Sequence, residues 1–241
     1  MSRYAAPQTF ARRQLATVLI DGLCPVGLGV SEHLARQGVG TVLVRDAALV
    51  SAEEADEGLG CSGFRAHEVG RSREDAAAGR LGAQCAGAEV MAAPEEFGTA
   101  GVDLQVSVGK PGAVMSRLGA AGLEHPSLPV QWGAEAWSVG PLLGPDAGAC
   151  PECLLPAPSV GGFPSCREAE HDAHPVRAAW RAPAAASLVG ALAAQQVLTL
   201  IDGEHPAAAE GRILSGSLAS GELATAPVSV VEGCDCLFAR V

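Results

Sequence analysis

The alternation of apolar and polar positions predicts strands and helices in turn along the first half of the chain. Residues 16–20 (ATVLI) form a short, partly β-branched apolar run that meets glycine at once, as a buried strand entering a turn does. Apolar side chains recur at helical spacing over residues 26–37, and Gly38 supplies a stop. A second apolar strand is expected at residues 41–44. A strand, a helix and a strand in this order are typical of a right-handed βαβ unit.

The same alternation continues beyond this unit and weakens in the second half of the chain. On the same grounds we expect helices at 68–84, 112–121 and 182–202, strands at 88–92, 102–108, 128–131, 137–143, 212–218 and 227–231, and an irregular stretch at 156–175. The predicted fold class is therefore α/β, with a doubly wound, mostly parallel, Rossmann-like sheet. No long linker divides the chain, which we interpret as one domain over residues 1–241, with an N-terminal extension (1–15), a nucleotide-binding-type half (16–132) and a second half (133–241).

Composition and charge narrow the classes of partner. The chain has 27 acidic and 16 basic residues, a net charge of −11, which disfavours nucleic acid or an anionic membrane surface as its main partner. The N-terminal sequence has no apolar signal region, so a cytoplasmic location and reduced cysteines are expected. The most apolar stretch, 182–201, contains Pro183, Ser187, Gln195 and Gln196, which favours a packed helix over a membrane span.

A glycine turn between the first strand and the first helix resembles a nucleotide-binding fingerprint, Gly22-x-Cys24-x-x-Gly27. Glycines let backbone amides approach a phosphate at the positive N-terminus of a helix. Asp46 follows Gly27 by 19 residues, where a carboxylate can accept the ribose hydroxyls. Cys24, however, replaces the glycine of closest approach, and Pro25 removes one amide donor. A working nucleotide pocket and a nucleotide fold with a decayed pocket both remain open.

Eight cysteines include two closely spaced pairs that are far apart in sequence. A tetrahedral zinc ion needs four ligands, so two thiolate pairs on tight turns predict one structural zinc bound by Cys150, Cys153, Cys234 and Cys236. Four thiolates leave no open position for catalysis, and the ion would tie the C-terminus to the middle of the chain. The alternative is a set of unrelated buried cysteines. The other cysteines do not pair in this way: Cys24 lies in the glycine turn, Cys61 and Cys85 are isolated, and Cys166 stands alone in a polar loop.

The order of these features resembles one family. A strand, a glycine turn, an acid 19 residues on, a VGRSREDAA helix start and cysteine pairs flanking a long helix are similar to the ThiF/MoeB fold of ubiquitin-like-modifier-activating enzymes, from residue 16 to residue 236. The sequence VGPLLGPDAGACPECL (139–154) and the terminal Cys-x-Cys resemble ThiF-like partners of azoline-forming cyclodehydratases in ribosomal peptide natural-product clusters. The resemblance implies ATP-dependent adenylation of a carboxylate, a structural zinc and a possible homodimer.

The resemblance also assigns individual positions in the expected ATP site. Where family members carry Asn-Leu-x-Arg-Gln, this chain reads EGLGCSGFR and leaves only Arg65, while Arg73 takes the position of the family's lysine. Gly109 stands where the magnesium-handling aspartate belongs, and Asp103 is at the opposite end of that strand. Lys110 is either a phosphate contact or a solvated lysine. These departures favour a degenerate ATP site.

Cys166 falls close to a family cysteine that forms a thioester or persulfide. Its neighbours Arg167, His171 and His174 would favour the reactive thiolate, although a lone loop cysteine is more often incidental. Cys166 is therefore the only candidate for a catalytic residue.

Three functional hypotheses follow. The first is a scaffold that holds a precursor peptide or a partner enzyme in thiazole or oxazole peptide biosynthesis, with its acidic surface attracting a basic partner and with tryptophans as anchors unless they belong to the core: Trp132, Trp137 and Trp180. The second is an active ATP-dependent adenylyltransferase that activates a carboxylate for sulfur or amide transfer. The third, an NAD-dependent oxidoreductase, lacks recognisable hydride-transfer residues in this chain.

Overall fold

A computed structural model describes residues 7–55, 63–121, 124–144, 150–154 and 182–228, and the structural statements below concern these residues. The helices are α1 (Pro7–Leu15), α2 (Pro25–Arg36), α3 (Arg73–Gln84), α4 (Pro111–Ala121), α5 (Pro151–Leu154) and α6 (Pro183–Asp202). The strands are β1 (Thr17–Asp21), β2 (Thr41–Arg45), β3 (Glu89–Ala92), β4 (Leu104–Gly109), β5 (Ser127–Trp132), β6 (Ala136–Val139), β7 (Arg212–Ser217) and β8 (Leu223–Pro227). Short 3₁₀ helices lie at Ala52–Glu54, Ala66–Glu68 and Glu95–Phe97.

The strands form one sheet in the order β3-β2-β1-β4-β5-β6-β7-β8. The first five strands of this order are parallel, and β6, β7 and β8 are added antiparallel. From β1 the chain winds outward to β2 and β3, and it then crosses back to β4 on the other side of β1. The junction of β1 and β4 is therefore a topological switch point, where ligands bind in open α/β sheets. The predicted α/β class is confirmed.

The main core lies between one face of the sheet and the helices α2, α3 and α6. Val18 and Ile20 of β1 point into it and are fully buried, together with Val26 and Val30 of α2. The opposite face of the sheet carries α4. Its Val114 and Leu118 form a second, smaller cluster with three residues that follow β6, namely Leu143, Cys150 and Leu154. Helices thus cover both faces, as a doubly wound sheet requires.

Helix α6 combines length with apolar character, and among the described residues it is the one helix that could cross a membrane on those two criteria. Such a helix is weak evidence of a membrane span, because core helices have the same composition. Its Gly190 lies against α2, where a Cβ at this position would stand 3.4 Å from Gly29 Cα. At its far end Asp202 accepts two hydrogen bonds from Arg13 of α1, at 2.6 and 2.7 Å. Packing of α6 against α2 and α1 therefore accounts for its length and apolar character.

Several predicted boundaries were wrong, and the N-terminal extension contains α1. The helix expected from residue 68 begins at Arg73, because Ser72 is its N-cap and accepts a hydrogen bond from the Asp75 amide. The strand expected at 137–143 ends at Val139, just before Pro141, which has no amide to donate.

Further expectations concern the later part of the chain. A strand lies at Leu223–Pro227 and pairs with β7 through a tight turn, while residues 229–231 of the strand expected at 227–231 lie outside the described residues. The stretch 156–175 lies outside the described residues. Trp132 and Trp137, considered as partner anchors, are 2% and 3% exposed and belong to the core.

Candidate functional site

The candidate site is the crevice at the carboxyl ends of β1 and β4, beside the N-terminus of α2. Two glycines shape its floor. Gly22 has a φ of +110°, and a Cβ there would overlap the carbonyl oxygen of Val108 on the neighbouring strand. A Cβ on Gly27 would overlap the carbonyl oxygen of Gly22, so α2 can approach the turn only through a glycine. The fold itself requires both glycines, whatever ligand the turn binds.

Cys24 is the N-cap residue of α2 and is buried, 8% exposed, within the turn. Burial raises the pKa of its thiol, although the amides of Gly27 and Val26 face the sulfur and favour the thiolate. The thiol itself makes no capping hydrogen bond. A neutral sulfur thus lies against amides that a phosphate would otherwise use, and Pro25 at the first helical position supplies none.

Asp46, expected to accept ribose hydroxyls, is already engaged. One carboxylate oxygen accepts the Leu23 amide at 2.9 Å and the Arg73 guanidinium at 3.1 Å. Arg73 also pairs with Glu54, and its side chain is 14% exposed. Burial alone would lower the pKa of Arg73, but the two carboxylates outweigh it and raise that pKa. Asp46 and Arg73 thus pair with each other in a largely buried ion network that closes the glycine turn.

Arg117 of α4 is a site residue that the sequence reasoning missed. Its Nε lies 2.9 Å from Asp21 Oδ1, and its Nη1 donates to the Val108 carbonyl at 2.7 Å. A Cβ built on Gly109 would be 3.2 Å from the same Nη1, so the guanidinium lies directly over the ends of β1 and β4. Its side chain is 30% exposed, which leaves a positive group facing the crevice.

Asp21, the last residue of β1, lies beneath that guanidinium. Burial raises the pKa of its carboxyl, and the nearby Arg117 and Arg45 oppose the rise. Arg45 is 4.0 Å from the carboxylate and is itself fixed by the Ala93 carbonyl at 2.8 Å. The Asp21 carboxylate is therefore paired with two arginines, Arg117 and Arg45.

The carboxylates described near the crevice are paired with cations or lie elsewhere. Gly109 offers no carboxylate, Asp21 is paired with arginines, and Asp103 lies at the opposite, amino ends of the strands, where it accepts the Thr17 amide at 2.8 Å. Within the part of the chain that the structure describes, no group of three or more His, Cys, Asp or Glu side chains is placed to hold a metal ion. Lys110 is half-buried at the start of α4.

Two other predicted site residues that the structure describes, Arg65 and Cys150, lie away from the Asp46–Arg73 pair. Arg65 lines a separate groove of about 420 Å³ that includes neither Asp46 nor Arg73. Cys150 is buried at the start of α5, 7% exposed. The remaining zinc ligands and the candidate nucleophile with its neighbours lie outside the described residues or side chains, so their roles stay predictions: Cys153, Cys234, Cys236, Cys166, Arg167, His171 and His174. The same holds for Cys61 and Trp180.

Comparison with known proteins identifies the fold. No family model matches the sequence, and no curated protein matches it at a significant level. The microcin C7 biosynthetic enzyme MccB in complex with N-formylated MccA has a TM-score of 0.74 and 16% identity, over 95% of this chain and 69% of that chain. E. coli MccB with ATP has a TM-score of 0.70 and 15% identity, over 95% of this chain and 68% of that chain. PaaA has a TM-score of 0.64 and 17% identity, over 92% of this chain and 75% of that chain. The expected ThiF/MoeB-like fold is thereby confirmed.

Proposed function

We propose that this chain is a ThiF-like protein of ribosomal thiazole or oxazole peptide biosynthesis, located in the cytoplasm, that holds a precursor peptide or a partner enzyme. It uses the fold without efficient adenylation. The fold similarity to MccB, which is described in complex with the peptide MccA, supports a peptide partner. The resemblance of residues 139–154 to cyclodehydratase partners supports the class of pathway.

One observation carries the scaffold function: the groups expected to bind ATP are already bound to each other. Asp46 accepts the Leu23 amide and pairs with Arg73, while the Cys24 side chain lies against the amides at the start of α2. A nucleotide would have to break the Asp46–Arg73 pair and displace a buried side chain. Each such loss subtracts from binding free energy, because a buried charge that loses its partner is costly.

We expect ATP to bind the wild-type protein with a Kd of about 1 mM or weaker, equivalent to roughly −4 kcal/mol, as measured by calorimetry with and without magnesium. ATP–pyrophosphate exchange should remain at the background without enzyme. Cys24→Gly frees the helix amides and should tighten ATP binding, whereas Asp46→Asn in that background should weaken it again. Cys85→Gly, at a buried cysteine outside the crevice, is the matched control. Robust exchange by the wild-type protein would overturn the scaffold function.

A second candidate function, ATP-dependent adenylation of a carboxylate, is favoured by Arg117. Its side chain is 30% exposed at the switch point, where the guanidinium could contact an anion that develops in the crevice, as cationic groups do in phosphoryl and adenylyl transfer. If the chain is an adenylyltransferase, pyrophosphate exchange should depend on both ATP and an added carboxylate peptide. Arg117→Met should then abolish the exchange while the protein stays folded.

The partner itself is tested by pull-down against the products of neighbouring genes, with and without ATP. A scaffold should retain a short precursor peptide or a YcaO-type cyclodehydratase in both conditions. If its net charge of −11 steers a basic partner, the association rate should fall as salt rises. Retention that requires ATP, or no retention together with measurable exchange, would contradict the scaffold function.

A structural zinc on Cys150, Cys153, Cys234 and Cys236 also belongs to this proposal, as do a homodimer and a reactive Cys166. The support for the zinc is the paired spacing and the resemblance. Cys150 lies in the apolar cluster of α4 and α5, so its side chain is positioned away from solvent, as a structural thiolate is.

A further inference from the structure

A second concave feature lies outside the crevice, between the 3₁₀ helix Ala66–Glu68 and the outer side of α3. It is a groove of about 420 Å³, open to solvent. Its lining residues are Arg65, His67, Glu68, Arg71, Gly79, Arg80, Ala83 and Gln84. None of the residues that form the glycine turn or its ion network is among them. The groove is therefore a separate surface.

The charge of this groove is opposite to that of the protein. Three guanidinium groups line it against one carboxylate, whereas the whole chain carries a net charge of −11. Arg80 is held in the floor of the groove by two contacts. Its Nη1 lies 3.7 Å from Glu68 Oε2, and its guanidinium carbon lies 5.6 Å from the centre of the Phe64 ring. Arg71 is exposed, with its Nη2 3.4 Å from the Asp75 carbonyl oxygen, and Arg65 is half-exposed, so both residues reach the surface of the groove. Positive charge is thus concentrated at one fixed place.

The shape and the kind of cation indicate what the groove can bind. Gly79 and Ala83, one turn apart on α3, leave room for a chain to lie close to the helix. Arginine guanidinium groups match carboxylates with paired, parallel hydrogen bonds. An acidic ligand is attracted by this local positive charge even though the net charge of the chain is negative. A volume of about 420 Å³ accommodates a few side chains rather than a large polyanion.

We propose that this groove binds an acidic segment of a peptide, whose Asp or Glu carboxylates pair with Arg65 and Arg71. The inference goes beyond the proposed function, because it names a docking surface that needs neither nucleotide nor the crevice. This docking also differs from the attraction of a basic partner by the acidic surface. In the groove the local positive charge selects an acidic ligand, whereas the net negative charge of the chain attracts a basic one.

The test uses a fluorescein-labelled Gly/Ser peptide that carries four Glu residues, with a matched peptide that carries four Gln residues. Fluorescence anisotropy at low salt, without ATP, should show binding of the Glu peptide only. Arg71→Glu should weaken that binding about tenfold or more, because it replaces an attraction with a repulsion. Arg212→Glu makes the same charge reversal at an exposed position of β7 outside the groove and should change binding less than about twofold.

Three results would overturn the proposal: equal binding of the Glu and Gln peptides, equal losses in Arg71→Glu and Arg212→Glu, or displacement of the peptide by millimolar inorganic phosphate, which would indicate a general anion site. Thermal melting checks that each variant is folded, and Arg65→Gln replaces Arg71→Glu if the latter is not. The anisotropy measurement contains no ATP, pyrophosphate or natural partner, so it is independent of the pull-down and exchange tests of the proposed function. Failure of the groove proposal would therefore leave the proposed function standing, and failure of the proposed function would leave the groove proposal standing.

Discussion

Gly27→Ala is expected to lower the free energy of unfolding by roughly 3 kcal/mol or more, or to prevent folding altogether. The new methyl group would overlap the carbonyl oxygen of Gly22, which is a backbone atom and cannot rotate away. Relief would require α2 to move off β1, and with it the fully buried Val26 and Val30 that join α2 to the main core. Urea denaturation monitored by circular dichroism measures the loss.

Gly29→Ala is the matched control, two residues later in the same helix. A Cβ at Gly29 would meet Gly190 Cα at 3.8 Å, an ordinary contact. Alanine also favours the helix over glycine by about 1 kcal/mol, so this variant should be as stable as the wild type or more stable. Equal destabilisation by the two substitutions would show that α2 does not approach the turn as closely as described.

The glycine turn illustrates how far the sequence supports an interpretation. Its spacing correctly predicts a strand, a turn and a helix, because only glycine allows this approach between backbones. The same spacing cannot tell whether the approach serves a phosphate or the packing of α2 on β1. The structure supplies the packing reason directly, and the burial of Cys24 in the same turn supports a closed pocket. Fold is thus more predictable here than ligand binding.

Long-range contacts explain what the sequence could not indicate. Arg117 stands beside Ser116 in the otherwise apolar sequence of α4 and belongs to no recognisable motif, yet packing of α4 on the sheet brings it over Asp21. Arg65 is close in sequence to Arg73, but the backbone turns at Gly70, which has a φ of +86°, and the two arginines line different surfaces. The start of α3 was expected five residues too early, at residue 68, although Ser72 and Asp75 form a local capping pattern that marks the true start at Arg73.

Removal of zinc has the largest effect expected from the proposed function. We expect purified, tag-free protein to contain one zinc ion per chain by elemental analysis. Binding of a structural zinc contributes about 10–16 kcal/mol of apparent free energy to small zinc domains, and this free energy is coupled to folding. Excess chelator should therefore unfold the region around α5 and the C-terminus, detected as faster amide hydrogen exchange there, whereas the parallel strands should keep their protection.

Cys150→Ser tests the same ion from within the chain, with Cys85→Ser as its control. Both cysteines are buried, at 7% and 5% exposure, so each substitution introduces a hydroxyl into a similarly dry environment. Cys85 has no closely spaced partner, and its variant should keep zinc while losing a modest amount of stability. Cys150→Ser should lose the ion as well, because three thiolates bind zinc more weakly than four. Zinc-free wild-type protein, or full zinc content in Cys150→Ser, would contradict the proposed site. In that case the buried Cys150 is a packing residue of the cluster with Val114 and Leu118.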